Sequence, residues 1–224
     1  MSHIDISSSL VTAIPIKDCL EDLVSVKGHL AYGPPPECNE TKDSYHFVRR
    51  GVLERLLIAQ KELPLGLTLR LYEGYRSPEF QETLFQEQLM RVASSNPDYS
   101  ERETYKAAAC LVAPTKTFEG ESLSPPHSTG GAVDVEIVDG EGKVIDFGME
   151  IKDWIHVPAS LCETDAPNLS SQAANNRAML FSVMSKAGFV NYSREWWHFS
   201  FGDQYWAFVK HEAYAMYAST SSSI

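Results

Sequence analysis

His127-Ser128-Thr129-Gly130-Gly131-Ala132-Val133-Asp134-Val135-Glu136-Ile137-Val138 is the stretch on which the fold turns. From Ala132 onward it is apolar and rich in β-branched residues, the composition of a strand. Side chains on a strand alternate between faces. Ala132, Asp134 and Glu136 therefore share one face, and Val133, Val135 and Ile137 share the other. A carboxylate in such a strand needs a partner if it is buried, because an unpaired buried charge is costly. The loop before the strand, residues 114–131, is polar and punctuated by proline and glycine. Gly130 and Gly131 let it fold back so that His127 can approach Asp134. After the strand, Asp139-Gly140 opens a tight turn into a second strand at 143–147, which predicts a hairpin.

Outward from this strand the pattern is mixed. Val52, Leu53, Leu56 and Leu57 recur at helical spacing within residues 45–61, and Pro64 and Gly66 end that helix. Leu67, Leu69 and Leu71 alternate with polar residues in a strand at 67–72. Gly74-Tyr75-Arg76-Ser77-Pro78 then turns the chain into a helix that buries Phe80, Leu84, Phe85, Leu89 and Val92. Ser100 and Glu103 form a capping box ahead of a short alanine-rich helix at 105–112. Residues 171–186 read as a helix stopped by Gly188. The aromatic-rich run 192–201 reads as a strand, and Asp203 caps a last helix to about residue 214. Residues 16–26 fit one helix or a strand–helix pair, and Gly33-Pro34-Pro35-Pro36 fits a rigid loop. Helices around a few antiparallel strands, without β-α-β alternation, predict a single α+β domain: a small central antiparallel sheet flanked by helices. The first ~40 residues are expected to wrap the domain as an extension, and residues 216–224 to fray.

Three groups of residues carry chemistry. His127 and Asp134 are ordinary zinc ligands. In Glu195-Trp196-Trp197-His198, His198 could supply a third ligand and Glu195 a general base. On a regular strand, positions three apart point to opposite faces, so Glu195 must precede the regular strand or sit at a bulge to share a site with His198. Arg76, just after a strand, could donate hydrogen bonds to an oxyanion. Taken alone, each group also has a plainer explanation: a solvated strand carboxylate beside a loop histidine, a surface glutamate with a core-edge histidine, and a surface ion pair. His3, His29, His46 and His211 lack ligand-like spacing, and His156 reads as structural.

The combination of Gly74-Tyr75-Arg76, His127-x-x-Gly130-x-Ala132-x-Asp134 and Glu195-x-Trp197-His198 resembles the D-alanyl-D-alanine dipeptidases of the VanX type. These are part of a larger group of zinc D,D-peptidases that includes VanY-type carboxypeptidases. The resemblance spans roughly residues 69–207. It implies one zinc ion per chain held by His127, Asp134 and His198, with Glu195 as general base and Arg76 stabilising the tetrahedral intermediate. It also implies a small dipeptide as substrate, with Asp153, Ser124 and Tyr75 as candidate substrate-binding residues and Glu150 as the competitor of Asp153. Two departures fall in substrate recognition. Pro125 stands where the family motif has a serine, with Ser124 one place further out, and Asp153 is offset by about one residue from the family's amine-binding aspartate. The alternatives are a D,D-carboxypeptidase acting on peptidoglycan stem peptides and a non-catalytic zinc-stabilised binding module.

Bulk properties narrow the classes further. The chain has 224 residues with 43% hydrophobic and 11% aromatic content, enough for one globular core. A formal net charge of -11 argues against a nucleic-acid partner, which needs clustered positive charge. No apolar run approaches the roughly 20 residues that span a bilayer, and no secretory signal is seen, so a cytoplasmic location without membrane association is expected. Cys19, Cys38, Cys110 and Cys162 are far apart and lack a C-x-x-C pair, the pattern of reduced thiols.

Overall fold

A computed structural model describes residues 4–34 and 43–221. In chain order, the first half contains α1 (Ser9–Thr12), β1 (Leu23–Ser25), β2 (Ala31–Tyr32), β3 (Phe47–Arg49), α2 (Arg50–Glu62), β4 (Thr68–Glu73), α3 (Pro78–Ser95) and α4 (Glu101–Ala108). The second half contains α5 (Pro126–Thr129), β5 (Ala132–Val138), α6 (Ala159–Cys162), α7 (Ser171–Lys186), β6 (Val190–Asn191), β7 (His198–Ser200) and α8 (Gln204–Lys210). The main sheet has the order β2-β4-β5-β7-β6, and β1 pairs with β3 in a separate ribbon. All pairings are antiparallel except β2 with β4, so the architecture is α+β with a mostly antiparallel central sheet.

The quoted stretch occupies the middle of that sheet, and all seven residues of β5 are buried. Its two faces do different things. Val133, Val135 and Ile137 join Val52 and Leu56 of α2 and Leu180 and Met184 of α7 in the main apolar cluster. Each such side chain taken fully out of water contributes about 1.5–3 kcal/mol. The opposite face carries Asp134 and Glu136. Glu136 lies across from Arg70 in the β4–β5 register and accepts hydrogen bonds from its Nε at 2.9 Å and Nη2 at 2.7 Å. One acid of the face is thus absorbed by a cross-strand ion pair, which leaves Asp134 as the acid available to the site.

Register places the remaining chemistry. Asp134 is opposite His198 on β7 and opposite Glu73 on β4, where the pairing shifts between Leu71 and Glu73. A slip of one residue would turn Asp134 into the apolar cluster, so burial of Val133, Val135 and Ile137 specifies the row Glu73–Asp134–His198.

Several local expectations change. The aromatic run is not one strand: after β6 the chain turns through residues 192–197, and β7 begins at His198. The Asn191 side chain holds this turn by donating from Nδ2 to the carbonyls of Glu195 at 3.1 Å and His198 at 3.0 Å. The hairpin after β5 is reduced to a single bridge, Val138 with Val144, closed by the Asp139 turn. The helix expected from residue 45 is preceded by β3, whose Val48 and Arg49 are buried. Of the segment expected to fray, residues 216–220 are packed, whereas Ser221 is exposed and 222–224 lie outside the described residues. Tyr217 is 1% exposed, its hydroxyl donates to Glu21 at 2.8 Å, and the Thr220 amide donates to the Ser128 carbonyl at 2.9 Å. A buried tyrosine ring offsets the tail entropy that polarity alone would leave uncompensated. Cys19, Cys110 and Cys162 are free thiols, whereas Cys38, His3 and part of the expected 33–36 loop lie outside the described residues. Among the described residues no helix is long and apolar enough to cross a membrane.

Candidate active site

The turn after β4 and the turn before β5 clasp each other. His127 sits on α5, a single helical turn that starts with Pro126 and ends at Gly130 in the left-handed region, φ 70°. The left-handed conformation favours glycine there, and a side chain would also have to push aside the end of Leu23. The His127 Nδ1–H donates to the Gly74 carbonyl at 2.8 Å, and the Arg76 amide donates back to the His127 carbonyl at 3.3 Å. In the neutral ring that bond leaves the lone pair on Nε2, the arrangement typical of a metal-ligating histidine. Gly74 must itself be small, because any Cβ would collide with the Phe47 carbonyl.

His127 Nε2 lies 3.4 Å from Asp134 Oδ1, and His198 Nδ1 lies 3.1 Å from the same oxygen. The two imidazoles meet edge to face at 4.9 Å. His127, Asp134 and His198 are all buried, and each offers a ligand atom within 4.8 Å of the others. His198 Nε2 is buried with no hydrogen-bond partner among the described residues. Three buried N/O donors, with His127 pinned by its second nitrogen and His198 presenting Nδ1 to Asp134, fit a divalent metal that keeps an open position.

Charge distribution agrees with that fit. Burial by itself would raise Asp134, but His127 and His198 reverse this and hold its carboxyl well below the usual carboxylate range. Burial pulls His127 down most strongly, but the charge and hydrogen bond of Asp134 together with the charge of Glu73 outweigh burial and Arg76, so the net direction is up. His198 is lowered, first by burial. Behind it, Asp203 caps α8 by accepting from the Trp206 amide at 2.8 Å and is close enough for its charge to act on His198.

Glu195 stands in the turn ahead of β7, with its Oε2 3.8 Å from His198 Nδ1. The turn at 192–197 resolves the parity conflict seen in the sequence, since the regular strand starts only at His198. Burial first, and the charge of Asp134 second, raise the Glu195 carboxyl well above its ordinary value, against the pull of Arg76. Arg76 is oriented from two sides. Its Nε donates to Glu73 Oε1 at 2.9 Å, with a second bond from Nη2 to Oε2, and its Nη1 donates to Gln81 Oε1 at 3.0 Å. Gln81 in turn donates to the Ala113 carbonyl at 2.7 Å.

Arg76, His127, Asp134, Glu195 and His198 all line one cavity of about 140 Å³. The candidate substrate-binding residues do not. Tyr75 points away, 2% exposed, with its hydroxyl donating to the Thr220 carbonyl at 2.6 Å. Ser124 lies in a separate small depression beside Pro125 and accepts from the Ser219 amide at 3.5 Å. Asp153 ends a 3-10 turn whose neighbours Ile151 and Trp154 face the cavity while it does not, and Glu150 is exposed beside Lys152 at 2.6 Å. Sequence reasoning missed Glu73, Gln81, Ile6 and Trp154. Glu73, three residues before Arg76 at the end of a strand, was the one signal within reach.

A buried His/Asp/His group with an adjacent carboxylate and an arginine on one cavity defines a metal-dependent hydrolase site. A family model for D-ala-D-ala dipeptidases, Peptidase M15, matches residues 43–219, and the chain belongs to that family of metallopeptidases. It is 28% identical over 219 residues to a D-alanyl-D-alanine dipeptidase of Synechocystis sp., covering 87% of each chain. It is 29% identical over 134 residues to a D-alanyl-D-alanine dipeptidase of Escherichia coli, covering 60% of this chain and 55% of that one. Among solved structures, a vancomycin resistance D,D-pentapeptidase VanY in complex with Zn(II) aligns over 90% of each chain at 16% identity and a TM-score of 0.46. The LdcB LD-carboxypeptidase aligns over 88% of this chain and 76% of its own at 17% identity and a TM-score of 0.46.

Proposed function

We propose that this chain hydrolyses the peptide bond of D-alanyl-D-alanine, or of a similarly small dipeptide, using one zinc ion held by His127, Asp134 and His198. The observation that carries this reading is the convergence of three buried ligand atoms, a raised carboxyl and an oriented guanidinium on one cavity of about 140 Å³. Zinc, when bound, supplies a Lewis acid that polarises the scissile carbonyl and makes water acidic enough to lose its proton near neutral pH.

Glu195 takes the proton of the attacking water and returns it to the leaving amine; its raised pKa suits a group that must both accept and give up that proton. Arg76 donates to the oxygen that gains charge as the carbonyl becomes tetrahedral. Glu73 and Gln81 hold the guanidinium in place before substrate arrives, so little reorganisation is needed in the transition state. His127 and His198 enter the site neutral, and Asp134 ionised, as metal ligation requires. A cytoplasmic setting, where free dipeptide rather than cross-linked wall is at hand, belongs to the same proposal.

The test is turnover of D-Ala-D-Ala by the zinc-loaded chain against Glu195→Ala. Removing the general base should lower kcat by roughly 10²–10⁴-fold with zinc content unchanged. A variant as active as the parent would sink the mechanism.

A further inference from the structure

Residues 4–8 lie ahead of the stretch that matches the family model, which begins at residue 43, yet through Ile6 they reach the active-site cavity. Ile6 lines it together with Glu195, His198 and Arg76. The segment is held on both flanks. On one, Arg194 donates from Nε to Asp5 Oδ1 at 2.7 Å, one residue from Glu195. On the other, Ser7 Oγ contacts the Ala109 carbonyl at 3.5 Å. Ile4 and Ile6 pack against a small apolar cluster of Val11, Val190, Tyr192 and Tyr205. Behind the segment, Gln204 of α8 anchors α1 by donating to the carbonyls of Thr12 at 2.9 Å and Ile14 at 2.6 Å. The Tyr192 hydroxyl donates to the Cys110 carbonyl at 2.8 Å, which ties together the two walls the segment crosses.

We infer that residues 4–8 form a strap that sets substrate length, with the Ile6 side chain closing the cavity against peptides extended beyond a dipeptide. The inference rests on the dipeptidase reading and deepens it. The donors, the base and the arginine act on a scissile bond whatever lies beyond it, so nothing in them limits chain length. Closure by a branched apolar side chain does: an extra residue would have to displace Ile6 from the Tyr192 cluster, and the strap could not yield without releasing the Asp5–Arg194 pair. Differences of a single methylene in such a wall change relative kcat/KM by about 10- to 200-fold.

The experiment compares kcat/KM of the zinc-loaded chain for D-Ala-D-Ala and for the tripeptide Lys-D-Ala-D-Ala, in the parent, in Ile6→Gly and in Ile6→Trp. The parent should favour the dipeptide. Ile6→Gly should raise the tripeptide-to-dipeptide ratio about tenfold or more. Ile6→Trp should weaken the dipeptide mainly through KM. A parent that cleaves both substrates equally, or an Ile6→Gly ratio equal to that of an active parent, overturns the strap. The latch is read without turnover by hydrogen exchange: Asp5→Ala should speed exchange at residues 4–8 and 109–112, and an unchanged pattern also overturns it. A zinc-loaded parent inactive on both peptides overturns the dipeptidase reading instead, while the exchange measurement still decides the strap.

Discussion

The inner and outer walls of the cavity are built on different principles. The inner wall is the row Glu73–Asp134–His198, three adjacent strands whose positions are set by backbone pairing and by the apolar cluster beneath. The outer wall is made of side chains such as Ile6, Glu87 and Trp154, brought from helices and irregular segments. A sheet register is all-or-none, because moving it by one residue inverts every side chain. A wall of loop and helix side chains can change one residue at a time. In the proposed mechanism the sheet row holds two of the metal ligands and the carboxylate that orients Arg76. The turns joined to it bring His127, Arg76 and Glu195, while the adjustable wall sets selectivity.

The largest effect that separates the walls is on rate. Arg76→Ala should lower kcat for D-Ala-D-Ala by about 10²–10³-fold, as loss of an oxyanion donor does, with zinc binding retained. Steady-state kinetics with a metal assay checks this, and a change confined to KM would move Arg76 from the inner wall's chemistry to substrate binding. Next comes stability of the inner wall. Arg70→Ala leaves the buried Glu136 carboxylate without its partner, and burial already raises that carboxyl. The cost should be about 3 kcal/mol, read by urea denaturation, with kcat nearly unchanged in the folded fraction.

The pH dependence probes the junction of the two walls. Glu195 is raised above its ordinary value by burial and by Asp134, and proton uptake abolishes its role as base. Acid therefore inactivates, and because the pKa is raised, the acid limb of kcat/KM should lie at higher pH than an unperturbed glutamate would place it. A profile following an ordinary carboxylate would remove Glu195 from the role. The smallest effects belong to residues that face neither wall. Asp153→Ala should change kcat/KM by less than about twofold, within the ±0.5 kcal/mol of an ordinary surface substitution. Tyr75→Phe should cost about 1 kcal/mol of stability through its bond to the Thr220 carbonyl. A large loss of activity in Asp153→Ala would return it to the substrate site.

The amino-acid sequence determined the central strand and the α+β class, and with the resemblance it singled out the five residues that line one cavity. Alternation marked β5 and put Asp134 and Glu136 on one face. The Gly130-Gly131 pair explained how His127 could return to Asp134, and the parity problem at Glu195 and His198 already required a break in the strand. Resemblance joined these pieces to Arg76. Only the tertiary structure decided which acid is spare. Glu136 and Asp134 are equivalent in the alternation, and it is the β4–β5 register that gives Arg70 to one and the two histidines to the other. It also decided the outer wall, where Ser124, Tyr75 and Asp153 are turned elsewhere and Ile6, distant in sequence, is brought in. Periodicity reports which face of an element is buried, whereas the identity of what it is buried against depends on pairings between residues far apart in the chain.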